Sequence, residues 1–263
     1  MSYAVLVDLV RCIGCRGCQV ACKSWNGNIG ENTHNMGSYE NPPTLSSNTW
    51  TLVRFNEVEY QGRFSWVFYK IQCMHCLHPA CVSVCTVGAL QKSAEGPVTY
   101  DADRCIGCRY CEYGCPFGVP KFQWDRKMGL ITKCTFCNER LEAGLKPACV
   151  QACPGDALVF GDRQELITQA RARIAARPEK YVNHVYGETE LGGTSWMYLS
   201  PVPFEMLGFN MFGDQPLTGA SESIMSSTPI SIIAAVAALG GFYWLTSPEE
   251  EEEESEEDEP WLQ

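Results

Sequence analysis

The last 83 residues of this 263-residue chain contain no lysine or arginine; all 20 basic residues lie between Arg11 and Lys180. Residues 1–180 hold 16 of the 31 acidic residues and carry a net +4, whereas the remainder carries −15. That split excludes a basic nucleic-acid binder and a uniformly acidic disordered chain. Histidine is scarce: His34, His75, His78 and His184 are too scattered to form a catalytic constellation. There is no Gly-rich phosphate loop, no dinucleotide fingerprint and no nucleophile–base arrangement. The chain therefore reads as serving chemistry done elsewhere. Its start lacks a basic n-region, a twin arginine and a cleavage site, and Ala4–Leu9 reads as a strand. The expectation is a protein that stays in the cytoplasm or crosses the membrane folded, beside a partner that carries a signal.

Cysteine, by contrast, is abundant. There are 16, all within residues 1–160, and hydrophobic residues at 45% are enough for a packed body around them. In a chain this long such usage suits metal binding better than a small disulfide scaffold. The cysteines form four groups. Group one is Cys12, Cys15, Cys18 and Cys22; group two is Cys73, Cys76, Cys81 and Cys85. Group three is Cys105, Cys108, Cys111 and Cys115, followed by Pro116; group four is Cys134, Cys137, Cys149 and Cys153, followed by Pro154.

Groups one and three are spaced C-x2-C-x2-C-x3-C. Three thiolates at that spacing fold around three corners of one cubane, and the fourth points into a neighbouring cluster, as in bacterial ferredoxins. Thiolate is a soft ligand suited to iron–sulfur clusters. The sequence predicts four [4Fe–4S] clusters. Structural zinc uses cysteine pairs, but two of the groups have a third cysteine at the same short spacing. Neighbours in such runs are also poorly placed for buried disulfides.

Pairing has two readings. In the nested one, groups two and three form an inner two-cluster unit at about 73–120, and groups one and four flank it. Cys12, Cys15, Cys18 and Cys153 then hold cluster 1; Cys22, Cys134, Cys137 and Cys149 hold cluster 2. Cys73, Cys76, Cys81 and Cys115 hold cluster 3; Cys85, Cys105, Cys108 and Cys111 hold cluster 4. The alternative pairs group one with two and three with four. Either way, four clusters in one body imply a wire. Arg11, Arg16, Lys23, Arg104, Arg109, Lys133 and Arg140 flank the motifs, either to offset cluster charge or as a solvated basic surface.

The expected fold class is α+β: two nested dicluster ferredoxin-like units with much irregular chain, plus one C-terminal transmembrane helix. Residues 1–160 form the four-cluster domain, with short strands at Thr49–Phe55, Ser65–Ile71, Val98–Asp101 and Ala157–Phe160. Residues 161–222 comprise a helix to about 180, opened by an Asp162–Glu165 capping box, and then an extended segment crossing a surface. Residues 223–247 include the uncharged run Ile230–Leu245 and reach the length that spans a bilayer, about 20 residues. Phe242, Tyr243 and Trp244 gather at one end like an interfacial belt, and Ala234/Ala238 and Ala237/Gly241 are small-xxx-small pairs. Residues 248–263 read as an acidic disordered tail.

With these features in place, the chain resembles the iron–sulfur (beta) subunit of membrane-bound formate dehydrogenases. Matching stretches include Cys18-Gln19-Val20-Ala21-Cys22 with Trp25-Asn26, Asn41-Pro42 with Trp50-Thr51, Cys73-Met74-His75-Cys76, Cys115-Pro116-Phe117 and Gly192-Gly193-Thr194. Iron–sulfur subunits of membrane-bound nickel–iron hydrogenases share the cysteine plan. The resemblance implies a non-catalytic subunit of anaerobic respiration. It would pass electrons from a molybdenum or tungsten catalytic subunit to a membrane cytochrome b or similar quinone-reducing subunit, with the nested ligand sets. In a hydrogenase the catalytic partner would hold nickel and iron. The family's soluble body commonly lies on the periplasmic side of the inner membrane, carried there by the catalytic subunit's signal; a cytoplasm-facing complex is the alternative.

Overall fold

The computed structural model describes residues 2–35 and 37–247. In chain order the elements are β1 (Tyr3–Asp8), α1 (Gly17–Asn26), β2 (Leu52–Tyr60), β3 (Arg63–Ile71), α2 (Ala80–Ser83), β4 (Leu90–Lys92), β5 (Val98–Tyr100) and α3 (Tyr110–Tyr113). They continue with β6 (Lys121–Phe122), β7 (Ile131–Thr132), α4 (Asn138–Glu142), α5 (Ala148–Gln151), β8 (Leu158–Asp162), α6 (Arg163–Ala176), β9 (Trp196–Leu199) and α7 (Gly219–Thr246). Met1–Gly219 form one unit and Ala220–Gln263 another.

The first unit is organised by a sheet in the order β8–β1–β9. Strand β1 runs antiparallel to β8, with Val5 opposite Phe160, and parallel to β9, with Val5 opposite Trp196. β1 is a continuous apolar run because both faces are covered. Alternation divides the strands. Val5, Val7, Trp196 and Tyr198 face a cluster with Phe136, Cys149 and Val150. Ala4, Leu6, Met197 and Leu199 face Leu166, Ile167, Ala170 and Ile174 of α6. The sheet thus separates a supporting helix from the cysteine-bearing side. The buried Asp8 carboxylate fastens the two, accepting from Arg173 Nη1 at 2.9 Å and the Tyr181 hydroxyl at 3.0 Å.

α6 begins where the sequence places it. The Asp162 side chain accepts from the backbone N–H of Gln164 and Glu165. Asp162 is still a β8 residue opposite Tyr3, and no bond returns to it from Glu165 among the described residues. The structure has half of the expected box.

The stretch after α6 differs from the sequence reading. Rather than crossing a surface, it supplies β9, whose four residues are all at most 1% exposed. Thr194 donates to the Trp196 carbonyl at 2.6 Å, and Tyr186 donates to the Asn210 carbonyl at 2.8 Å. The backbone there is satisfied internally, as burial demands. Trp196 is the largest fully buried side chain. Trp196→Ala is expected to cost about 3–5 kcal/mol, read as a fall in the thermal midpoint.

In the second unit, α7 contains one segment long and apolar enough to cross a membrane, Ser226–Thr246, with a mean hydropathy of 1.6 and no burial. It starts three residues inside the expected 223–247. The expected acidic tail, 248–263, lies outside the described residues.

Candidate metal centre: four cysteine cradles

Each short cysteine loop is bent by left-handed backbone. Group one has Gly14 at φ 67° and Arg16 at 59°; group three repeats this with Gly107 at 67° and Arg109 at 65°. His75, at φ 48°, turns group two, and Phe136 and Cys137, at 63° and 52°, turn group four. Such turns point successive N–H groups into a concavity that favours anions and iron–sulfur groups. Gly17 N lies 3.5 Å from Cys15 Sγ, Gly107 N 3.4 Å from Cys105 Sγ and Phe136 N 3.4 Å from Cys134 Sγ. At Gly107 a Cβ would also stand 2.6 Å from the Gly129 carbonyl oxygen. Glycine is therefore required there twice over.

All sixteen cysteines are free thiols, and they gather in four sets. Cys12, Cys15, Cys18 and Cys153 line one cavity, beside Val53, Lys70 and Leu158. Cys22, Cys134, Cys137 and Cys149 line a second, with Trp50, Phe136 and Trp196. Cys76 has Cys73, Cys115 and Cys81 as its thiol neighbours, and Cys111 has Cys105, Cys85 and Cys108. These are cradles 1 to 4. In each, three thiols come from one group and the fourth from another.

The cradles lie in a row. Cys18 of cradle 1 neighbours Cys149 of cradle 2, Cys134 of cradle 2 neighbours Cys73 of cradle 3, and Cys81 of cradle 3 neighbours Cys111 of cradle 4. Only Cys15 and Cys108, at the two ends, are exposed. Each sits among exposed apolar side chains, Ile13 and Val20 at one end and Ile106, Tyr110 and Tyr113 at the other.

The donor set tells against a single ion. Among the described residues no three Cys, His, Asp or Glu converge to hold one metal, as zinc with ligands at about 2.0–2.3 Å requires. A larger, sulfur-rich group fits better. Trp196 lines cradle 2, and its buried indole N–H has no protein partner; such a donor is costly without an acceptor, and cluster sulfur is one.

Relatives agree with the geometry. A family described as "4Fe-4S dicluster domain" matches residues 64–163, and a second of the same description matches residues 11–89. The first match holds groups two, three and four, the second holds groups one and two, and the two overlap at group two. The chain is 40% identical over 201 residues to the nitrate-inducible formate dehydrogenase iron–sulfur subunit of Escherichia coli K12, covering 75% of this chain and 68% of that one. The hydrogenase-2 operon protein HybA of Escherichia coli O157:H7 is 35% identical over 272 residues, 91% of this chain and 82% of that one. A protein of Nitratidesulfovibrio vulgaris is 42% identical over 249 residues, 93% of this chain and 67% of that one. The chain belongs to the iron–sulfur subunit family of formate dehydrogenase and hydrogenase-type complexes. Members of this family are electron-transfer subunits rather than catalytic ones. In this one, two dicluster domains and sixteen cysteines fit four [4Fe–4S] clusters.

Burial dominates the electrostatics of most of the thiols. Burial pushes Cys18, Cys81 and Cys111 up to about 12 and Cys149 up to about 11. Burial also lifts Cys76 and Cys134 well above the ordinary thiol range. Buried thiols therefore stay protonated until a soft cation replaces the proton. Cys105 departs from this trend. Burial pushes it up, but the Tyr100 hydroxyl and the N–H groups of Ile131 and Gly107 outweigh that and hold it below the ordinary range.

Several of these contributors are absent from the sequence reading. Lys70, only 2% exposed, is the cation that opposes burial at Cys18, Cys134 and Cys149. Lys92 faces Cys76 and Cys73 and is pushed down to about 8, chiefly by burial. Of the flanking cations singled out from the sequence, Lys133 is buried and donates to the carbonyls of Val98 and Cys134. Arg16, Arg109 and Arg140 stack on Phe55, Trp124 and Trp25. His75 accepts from Val98 N at 2.9 Å through Nδ1, which leaves its buried Nε2 proton without a protein partner.

Proposed function

We propose that this chain is the relay of a formate dehydrogenase complex, holding four [4Fe–4S] clusters in the nested ligand sets. Cys12, Cys15, Cys18 and Cys153 hold the first; Cys22, Cys134, Cys137 and Cys149 the second; Cys73, Cys76, Cys81 and Cys115 the third; Cys85, Cys105, Cys108 and Cys111 the fourth. The observation that carries this reading is the row of four cradles with one exposed cysteine at each end. When bound, such clusters supply one-electron carriers. The chain's own part is to space them, surround them with backbone N–H groups and exclude water from the middle two cradles. The ends at Cys15 and Cys108 meet the partners: a molybdenum or tungsten catalytic subunit on one side, and a cytochrome b-type or other quinone-reducing membrane subunit on the other. Residues 223–247 anchor the chain as a single pass in the inner membrane, with residues 1–160 on its periplasmic side.

The second reading, a nickel–iron hydrogenase complex, is favoured by the length of the match to HybA, 82% of that protein. Metal analysis of the complex isolated anaerobically through this chain separates the two. Molybdenum or tungsten, with at least about sixteen iron atoms per chain (roughly four per cluster), is the expected result. Nickel without either metal sinks the formate reading and leaves the relay intact.

A further inference from the structure

Lys70 presents a physical anomaly. An ammonium taken out of water needs an anionic partner, because burying an isolated charge is strongly unfavourable. The Lys70 ammonium has no carboxylate within ion-pair distance among the described residues, and the one hydrogen-bond acceptor of its Nζ is the neutral Gln72 Oε1 at 2.8 Å. One face of the ammonium rests on the Trp196 ring, 4.1 Å from its centroid. That cation–π contact is too weak to replace a counter-ion.

Its position is held by a closed network. Gln72 Nε2 donates to the Tyr198 hydroxyl at 2.8 Å, and that hydroxyl donates to the Lys70 carbonyl at 3.0 Å. Strands β3 and β9 thus fix both ends of the side chain. Lys70 itself lines the cavity of cradle 1, and Trp196 beneath its ammonium lines the cavity of cradle 2. The nearest source of negative charge is therefore the two sulfur-rich sites on either side.

We propose that Lys70 is a positioning cation shared by cradles 1 and 2, whose buried ammonium raises the reduction potentials of the two groups held there and leaves those of cradles 3 and 4 to other residues. This rests on the cluster assignment above. A fixed positive charge in low dielectric favours the more negative, reduced state of each neighbour. Lys70 acts through its field and neither gives nor takes a proton or an electron.

The test is a potentiometric titration of the intact complex, followed by paramagnetic resonance, in Lys70→Met and Lys70→Arg. Signals are assigned to cradles by their loss in Cys12→Ala and Cys134→Ala. In Lys70→Met the two signals of cradles 1 and 2 are expected to move to lower potential by at least tenfold in the reduced-to-oxidised ratio, about 59 mV for one electron. The other two stay in place, and Lys70→Arg restores most of the shift. Unmoved signals, or four signals moved equally, overturn the proposal. If Lys70→Met loses iron from cradles 1 and 2, retention in Lys70→Arg supports the need for charge, and loss in both shows packing alone and overturns it. The cluster assignment fails separately, by an unmodified chain that lacks four signals.

Discussion

Cys153→Ala is expected to give the same spectrum as Cys12→Ala, with the signal of cradle 1 lost or converted and that of cradle 2 intact. By sequence Cys153 belongs to group four, and a reader of the motif alone would pair it with Cys149. In the fold it lines the cavity of Cys12, Cys15 and Cys18, and it is the thiol whose charge most opposes ionisation of Cys12. The reason is local. Helix α5 carries Cys149 on its buried side, and its chain then leaves through Cys153 towards β8, which pairs with β1 just ahead of Cys12. Cys22, at 6% exposure on α1, makes the reciprocal crossing into cradle 2. Cys22→Ala should therefore match Cys134→Ala. Loss of a ligand leaves the other three cradles their full sets, so at least about three-quarters of the iron should remain. A Cys153→Ala spectrum that matches Cys134→Ala instead would falsify the nested assignment and favour ligands drawn from within one group.

The cysteine groups are legible in the sequence because chelation leaves a spacing signature that tertiary context does not erase. The strands expected at 65–71 and 98–101 and the helix after Asp162 were readable for a similar reason: their periodicity and caps are local. The first hairpin runs further than expected, to Tyr60 and back from Arg63. Its turn, Gln61-Gly62 with φ of 53° and 69°, is of the tight type that suits two-residue hairpins, and only Gly62 announced it. β9 was hidden because glycines and prolines surround it and because four apolar residues carry no period of their own. Lys70 was hidden by a default. A lysine next to Tyr69 in an alternating strand is assigned to the surface, and only the fold shows both residues buried. A wire was legible but the order of the cradles along it was not, since Cys134–Cys73 and Cys81–Cys111 are neighbours only through tertiary packing.

A chain ended at Gly219 is expected to leave the membrane fraction almost completely and to keep its iron. The body, Met1–Gly219, forms a unit of its own with all sixteen cysteines, so the cradles do not depend on α7. The helix, for its part, is built for hydrocarbon. Its 21-residue apolar segment is about 31 Å long at 1.5 Å per residue, which matches a bilayer core of about 30 Å. Ile232, Val236, Leu239 and Leu245 are each more than half exposed, and a fully apolar helix with no covered face is not stable in water. Its polar groups are also dealt with. Ser226 bonds back to the Ser223 carbonyl, Ser227 and Thr228 to Ile224, Ser231 to Ser227 and Thr246 to Phe242. Every hydroxyl of serine and threonine in the segment is thereby satisfied without water, as lipid requires. Pro229 removes one backbone donor within the helix, close to this group of back-bonding hydroxyls. The comparison is made on the full and shortened chains produced without partner subunits, after an alkaline wash of the membranes. A shortened chain that remains with the washed membrane would sink the anchor, and a shortened chain that loses its iron would show that the two units are not independent.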